Sequence, residues 1–232
     1  MQLHDVSIIL PTKNEAENIP HFLQSIPEKI KLIVVDASQD HTREIIHQLR
    51  PGNTIILYNT SHIAVARHVG ANLADTQWLL FTDADVIFHP LYFDHLSNIG
   101  HFDGYYGPKL SFSEYIEYYE SFSAWQRFFH RLGIPAASGS NLLIRRDVYF
   151  SIGGFDLDLR VNEDTELSWR IKRSRYSIAF DHELIVYARD HRRLKRGMAR
   201  KNLHSIARCA LLYLNLIPQK WRSSDWGYWK KS

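Results

Sequence analysis

Short apolar runs that stop at polar residues, with helical spacing between them, most restrict how this chain can fold. Residues 6–10 form such a run, closed by Pro11, and residues 32–35 form another, ending at Asp36. Two more follow at 54–57 and at 78–81, the latter leading to Asp83. Each reads as a buried strand. Between the first two, Asn14 with Glu17 three residues on predicts the N-cap of a helix through Ile19, Phe22, Leu23 and Ile26. Ser38 or Asp40 is placed to cap a second helix through Ile45, Ile46 and Leu49; residues 64–73 read as a third, and Pro90 starts another. Strands alternating with helices imply a mainly parallel sheet covered on both faces. Such sheets bind ligands beyond the carboxyl ends of their strands. Thr12, Asn14, Asp36, Ser38, Asp83 and Asp85 fall at those ends.

The alternation fades after residue 100. Residues 113–131 are dense in aromatics: Tyr115, Tyr118, Tyr119, Phe122, Trp125, Phe128 and Phe129, closed by Gly133 and Pro135. This is more than one core-facing stripe needs, and it is expected to build the acceptor side of a site, or else to be a buried helix. Strands are expected at 141–144 and 184–187 and a helix at 163–173. Residues 204–217 carry Ile206, Ala210, Leu211 and Leu214 at three- and four-residue spacing, an amphipathic helix. At 232 residues and 45% hydrophobic content, the chain can bury a sizeable core in one large α/β domain.

The sharpest chemical signal is Asp83-Ala84-Asp85. Two acids two residues apart at a strand end can face the same side. There they suit Mg²⁺ or Mn²⁺, which takes one or two carboxylates and completes its shell with water and substrate phosphates. By itself the pair reads equally as two solvated acids in a turn.

Other segments stand in order around it. Residues 7–19 (SIILPTKNEAENI), 34–42 (VVDASQDHT) and 66–72 (ARHVGAN) precede the Asp-x-Asp strand. Residues 139–147 (GSNLLIRRD), 153–156 (GGFD) and 162–170 (NEDTELSWR) follow it. Together, from about residue 6 to residue 173, they resemble the family 2 glycosyltransferases. The resemblance implies a single GT-A domain with a Rossmann-like sheet over residues 1–202. Residues 1–100 would bind the nucleotide sugar and 101–202 the acceptor, with a helix and a basic, aromatic tail over 203–232. It also implies metal-dependent transfer of a hexose from a UDP- or GDP-linked donor to a hydroxyl acceptor, either a glycan or a lipid-linked one.

Position by position, the resemblance puts Pro11, Thr12 and Glu15 in the nucleoside pocket. It puts Asp36 on the base or ribose, although Asp36 could also cap a helix. Arg67 would contact the nucleotide, Asp83 ribose or metal, and Asp85 the metal. Ala37 and His68 depart from the family's usual acid or glycine and from its usual asparagine. Asp164, with Glu163 beside it, matches the acid that inverting members use as base. A sugar hydroxyl attacks well only as its proton is removed, and metal stabilises the leaving diphosphate. The same two acids would also suit the positive end of a helix dipole. His191 resembles a third metal ligand, and Arg192 and Arg193 could hold the diphosphate, since planar guanidinium groups suit phosphate. A solvated basic loop is the alternative.

Other classes fit less well. The first turn has no glycine, so neither a dinucleotide fingerprint nor a P-loop is present. A sugar nucleotidyltransferase would carry a glycine-rich first loop. A non-enzymatic protein could bind nucleotide or an anionic surface through residues 189–201, but strand-end acids would repel nucleic acid, so no nucleic-acid partner is expected. The single cysteine, Cys209, suits a reducing compartment. The start lacks the pattern of a secretory signal, and no apolar run reaches the length of about 20 residues that spans a bilayer. A cytoplasmic protein is expected. Lys220, Arg222, Lys230 and Lys231 among Trp221, Trp226 and Trp229 suggest peripheral contact with the inner face of a membrane.

Overall fold

In a computed structural model, which describes residues 1–191, 194, 207–214 and 216–224, the strand and helix alternation is realised. The elements of the first half are β1 (Val6–Thr12), α1 (Ile19–Gln24), β2 (Lys31–Asp36), α2 (Thr42–Leu49), β3 (Thr54–Tyr58), α3 (Ile63–Leu73) and β4 (Trp78–Thr82). Next come β5 (Val86–Phe88), α4 (Tyr92–Leu96), β6 (Gly104–Tyr106), β7 (Lys109–Leu110) and α5 (Ile116–Arg131). The remainder holds β8 (Asn141–Arg145), α6 (Arg146–Ser151), α7 (Glu163–Arg173), β9 (Ile178–Phe180) and β10 (Val186–Ala188).

Seven strands form one sheet in the order β3-β2-β1-β4-β8-β6-β9. Only β8 runs against its neighbours, pairing antiparallel with β4 and β6. Period-two alternation sends successive side chains to opposite faces. Ile8, Leu10, Leu32, Val34, Leu80 and Leu143 pack beneath α1 and α4. Ile9, Ile33, Leu79, Phe81, Leu142 and Ile144 pack against α3, α6 and α7. Pro11 is tolerated inside β1 because pairing with β4 stops at Ile9, so its missing N–H interrupts no bond on that side.

A second, small sheet runs β5-β10-β7. The strand expected at 184–187 belongs there, antiparallel to β5, rather than in the main sheet. Of the helix expected over 204–217, residues 207–213 are helical, while 204–206 and 215 lie outside the described residues. Its expected apolar face packs only in part, through Leu211. Leu214 is exposed, whereas Leu212 and Arg208 are buried, the arginine donating to the carbonyls of Ser224 and Arg222. No helix among the described residues is long and apolar enough to cross a membrane.

Candidate active site

Asp36 ends β2, and Asp83 and Asp85 lie just beyond the carboxyl end of β4, on the side where the parallel strands finish. The first two turns are stitched together. Thr12 Oγ1 and Ser38 Oγ each donate to Asp36 Oδ1 at 2.6 Å, and Arg43 pairs with Oδ2 at 3.2 Å. Asp36 is fully buried, so its carboxylate braces the turn. Asn14 is not the helix cap its spacing predicts. The helix starts after Asn18, and Asn14 instead takes a left-handed conformation (φ 56°). From there its N–H donates to Ser38 Oγ at 2.8 Å and its Oδ1 accepts from Gln39 N at 2.8 Å. Neither Ser38 nor Asp40 occupies the N-cap of α2, which is His41. Asp40 nonetheless accepts the N–H of Thr42 at the head of α2, and also that of Ala16. Glu15 donates its N–H to Thr42 Oγ1 at 2.9 Å, and its carboxylate accepts from Asn18 at 2.7 Å. Pro11 lies half-buried at the end of β1.

The centre of the arrangement is Arg67 on α3, with 2% of its surface exposed. One guanidinium nitrogen donates to Asp83 Oδ1 at 2.7 Å and another to Glu163 Oε1. Burial works against its charge, but Asp83, Glu163 and Asp164 outweigh burial and hold its pKa above the ordinary value. Glu163 is buried too. Its burial, and then the neighbouring charge of Asp164, push its carboxyl up to about 7 against the pull of Arg67. Asp164 opens α7 half-buried, accepting from Gly139 N at 2.6 Å and from its own helix's Thr165 N at 2.7 Å. Thus Asp83 of the first half and Glu163 and Asp164 of the second meet around Arg67 and Gly139. Gly139 is required there, because a β-carbon would lie 2.3 Å from the Arg67 guanidinium. His68, the next residue on α3, faces Tyr149 at 3.0 Å instead.

Asp83 is further held by Ser140, whose Oγ donates to Oδ2 at 2.6 Å. Asp85 is more available. It is about one-fifth exposed, and its Oδ1 lies 3.3 Å from Lys109 Nζ. Its chain is fixed by the small sheet, as Arg189 N donates to Asp85 O at 2.8 Å. A part-exposed carboxylate beyond a strand end, with only one ammonium beside it, fits a hard divalent cation that draws its other ligands from water and phosphate. His191 is buried, with Nδ1 3.3 Å from Tyr119 Oη and its ring against Tyr115. Ligand atoms of Asp83, Asp85 and His191 do not gather within 4.8 Å of one another. Among the described residues only His95, Asp181 and Glu183 do so. There both ring nitrogens of His95 are already taken, by Asp181 at 2.9 Å and Glu183 at 3.0 Å, making an ion cluster that ties α4 to the loop after β9. Arg192 and Arg193 lie outside the described residues.

Sequence reasoning passed over Gly139, Ser140 and Lys109 as site residues. The first two stand in the segment GSNLLIRRD, so a glycine and a serine just ahead of a strand were the available signal. Nothing in the surroundings of Lys109 marks it, because β7 has only two residues.

A mainly parallel seven-stranded sheet with one reversed strand, a small second sheet and acids gathered at the carboxyl edge defines the GT-A class of fold. Solved structures agree. The mannosyltransferase PcManGT from Pyrobaculum calidifontis, in complex with GDP-Man and Mn²⁺, superposes with a TM-score of 0.65 at 17% identity, covering 94% of this chain and 72% of that one. S. aureus TarS 1–349 in complex with UDP-GlcNAc also gives 0.65, at 19% identity, covering 82% of this chain and 59% of that one. Residues 7–150 match glycosyl transferase family 2, and the chain belongs to that family. Glycosyltransferase AglE of Haloferax volcanii is 30% identical over 198 residues, 78% of this chain and 65% of the relative. Poly-beta-1,6-N-acetyl-D-glucosamine synthase of Staphylococcus aureus is 26% identical over 203 residues, 78% of this chain and 48% of the relative. The chain therefore spans about half to two-thirds of the length of these curated relatives.

Proposed function

We propose that this chain transfers a hexose from a UDP- or GDP-linked donor to a hydroxyl acceptor, a glycan or a lipid-linked one, with inversion at the anomeric carbon. The observation that carries the reading is the meeting of Asp83, Glu163 and Asp164 around Arg67 and Gly139, which joins the strand-end acids to the start of α7.

The two acids that open α7 are not equivalent. Glu163 is buried and committed to Arg67, which makes it a positioning residue. Asp164 is held only by the neutral donors of Gly139 and Thr165, so it can take a proton from an acceptor hydroxyl. Asp85 would hold Mn²⁺ or Mg²⁺, which supplies charge stabilisation to the leaving diphosphate. Asp83 is locked by Arg67 and Ser140 and sets the edge of the same site. Thr12, Pro11, Glu15 and the braced Asp36 form the floor on which a nucleoside would rest. Arg192 and Arg193 would reach the diphosphate, and His191 would approach the metal side from β10. A cytoplasmic location belongs to the same reading and is supported by the sequence having a single cysteine, Cys209.

The test is Asp164→Asn, nearly isosteric but unable to accept a proton at neutral pH. With UDP- and GDP-sugars screened in Mn²⁺, donor binding should persist. Turnover should fall by a factor on the order of 10²–10⁴. Glu163→Gln should cost less. A product that keeps the donor's anomeric configuration, or near-normal turnover in Asp164→Asn, refutes the assignment.

A further inference from the structure

Helix α5 is turned inside out. Its inner side buries Tyr119, Ser123 and Gln126, and the Gln126 amide, 1% exposed, donates to Ala136 O at 2.8 Å. Its outer side presents Phe122, Trp125, Phe128, Phe129 and Leu132, with Trp125 57% and Leu132 59% exposed. Positions 122, 125, 129 and 132 follow the three- and four-residue spacing of one helical stripe. The rings touch each other. Trp125 stacks on Phe129 at 5.7 Å between centroids and meets Phe128 edge-on at 5.8 Å. The result is a continuous apolar plate facing outward, a feature that marks a contact surface on a protein of this size.

Charge says what the plate meets. From Ser121 to Arg146 the sequence contains no acid, while Arg127 and Arg131 stand exposed on the same turns as the rings. Past Gly133 the plate runs into Ile134, which packs against Leu212 and Ile217 of the C-terminal segment. That segment also leaves Leu214, Leu216 and Trp221 exposed. The acids of α5, Glu117 and Glu120, lie in its first two turns, ahead of the rings, so that the half of the helix bearing the plate carries aromatic side chains and arginine, as does a segment that lies in a membrane interface. There the rings enter the boundary between headgroups and acyl chains, and cations meet anionic lipid.

We propose that the outer face of α5 docks this protein on an anionic lipid bilayer. Gln126 fixes α5 to Ala136, three residues before Gly139, so docking brings the acceptor side of the sheet edge toward the lipid surface. The proposal stands apart from the assignment of the catalytic base, and shifts the expected membrane contact from the tail to α5. Of that tail, residues 225–232 lie outside the described residues.

The test is co-sedimentation of the full chain with vesicles of phosphatidylglycerol and phosphatidylcholine, against phosphatidylcholine alone. The triple variant Trp125→Ser, Phe128→Ser, Phe129→Ser should lose about tenfold or more in apparent affinity for the anionic vesicles. Arg127→Gln with Arg131→Gln should lose about fivefold per arginine. Thermal midpoints matching the parent show that each variant folds. Independently, brominated lipid should quench the tryptophan fluorescence of the parent and quench Trp125→Phe distinctly less. Vesicle binding unchanged in the triple variant overturns the proposal. So does a full chain that ignores anionic vesicles but forms a dimer that the triple variant abolishes, which would make a second copy the occupant.

Discussion

The first hundred residues and the second hundred supply the site by different means. In the first, functional residues sit at the ends of adjacent parallel strands, and the turns after β1 and β2 bond to each other across 24 to 27 residues of sequence. Each of those groups ends up where its strand ends. In the second half, Glu163 and Asp164 reach the site only because α7 begins beside Gly139 and Arg67, 96 residues away from Glu163, reaches across to it. One half is a set of strand-end positions, and the other is held to it by a buried charge. Besides the strand pairing of β4 with β8, one guanidinium links the acids of the two halves at the site.

Breaking that coupling should give the largest effect. Arg67→Met leaves Asp83 and Glu163 buried without their shared partner. Loss of one member of a buried ion cluster costs about 3–5 kcal/mol. Chemical denaturation should show it, and a loss below about 1 kcal/mol would mean that the ion pairs of Arg67 do not hold the two halves together.

Asp85→Ala probes the first half by itself. Metal-dependent binding of UDP or GDP should weaken by about 100-fold, with the fold retained, because removal of even supporting groups at metal sites costs 10- to 100-fold. Calorimetry with and without Mn²⁺ decides it. An unchanged Mn²⁺-dependent affinity would move the metal away from Asp85.

The smallest effect is a pH dependence in the second half. Glu163 has its carboxyl raised from 4.5 to about 7 by burial and by Asp164. Between those values the folded protein keeps a proton that the unfolded chain has released, so stability falls as pH rises from about 4.5 to about 7. Below that window Glu163 contributes no slope, and above it the penalty is constant. In Glu163→Gln this part of the slope should be missing. Denaturation midpoints measured across pH 4.5 to 7.5 would show it, and identical profiles for parent and variant would place the proton elsewhere.

Much of the first half was legible because its signals are local. A run of β-branched and aliphatic residues fixes a strand, and the strand's last residue fixes where its acid emerges, as with Asp36 and Asp83. The family motifs carried the order of the segments. Two readings failed where a side chain found a distant partner. Asn14 was spaced as a cap, but the second turn offered it Ser38 and Gln39. Of the apolar stripe of 204–217, Leu211 packs inward but Leu214 stays exposed, while Arg208 takes the inside and caps carbonyls near residue 224. The strand expected at 184–187 did form, and β5 gave it an antiparallel edge in the small sheet.

The sequence alone determined a mainly parallel α/β sheet, the edge on which its acids stand and the family to which it belongs, since periodicity and motif order are properties of neighbouring residues. Tertiary structure alone decided which acids are free and which are spent. Asp83 and Glu163 are consumed by Arg67, while Asp85 and Asp164 keep oxygens bound only by Lys109 or by neutral donors. It also decided that α5 turns its aromatic stripe outward. Both outcomes depend on what packs against a side chain from far along the chain, and no spacing within a segment encodes that.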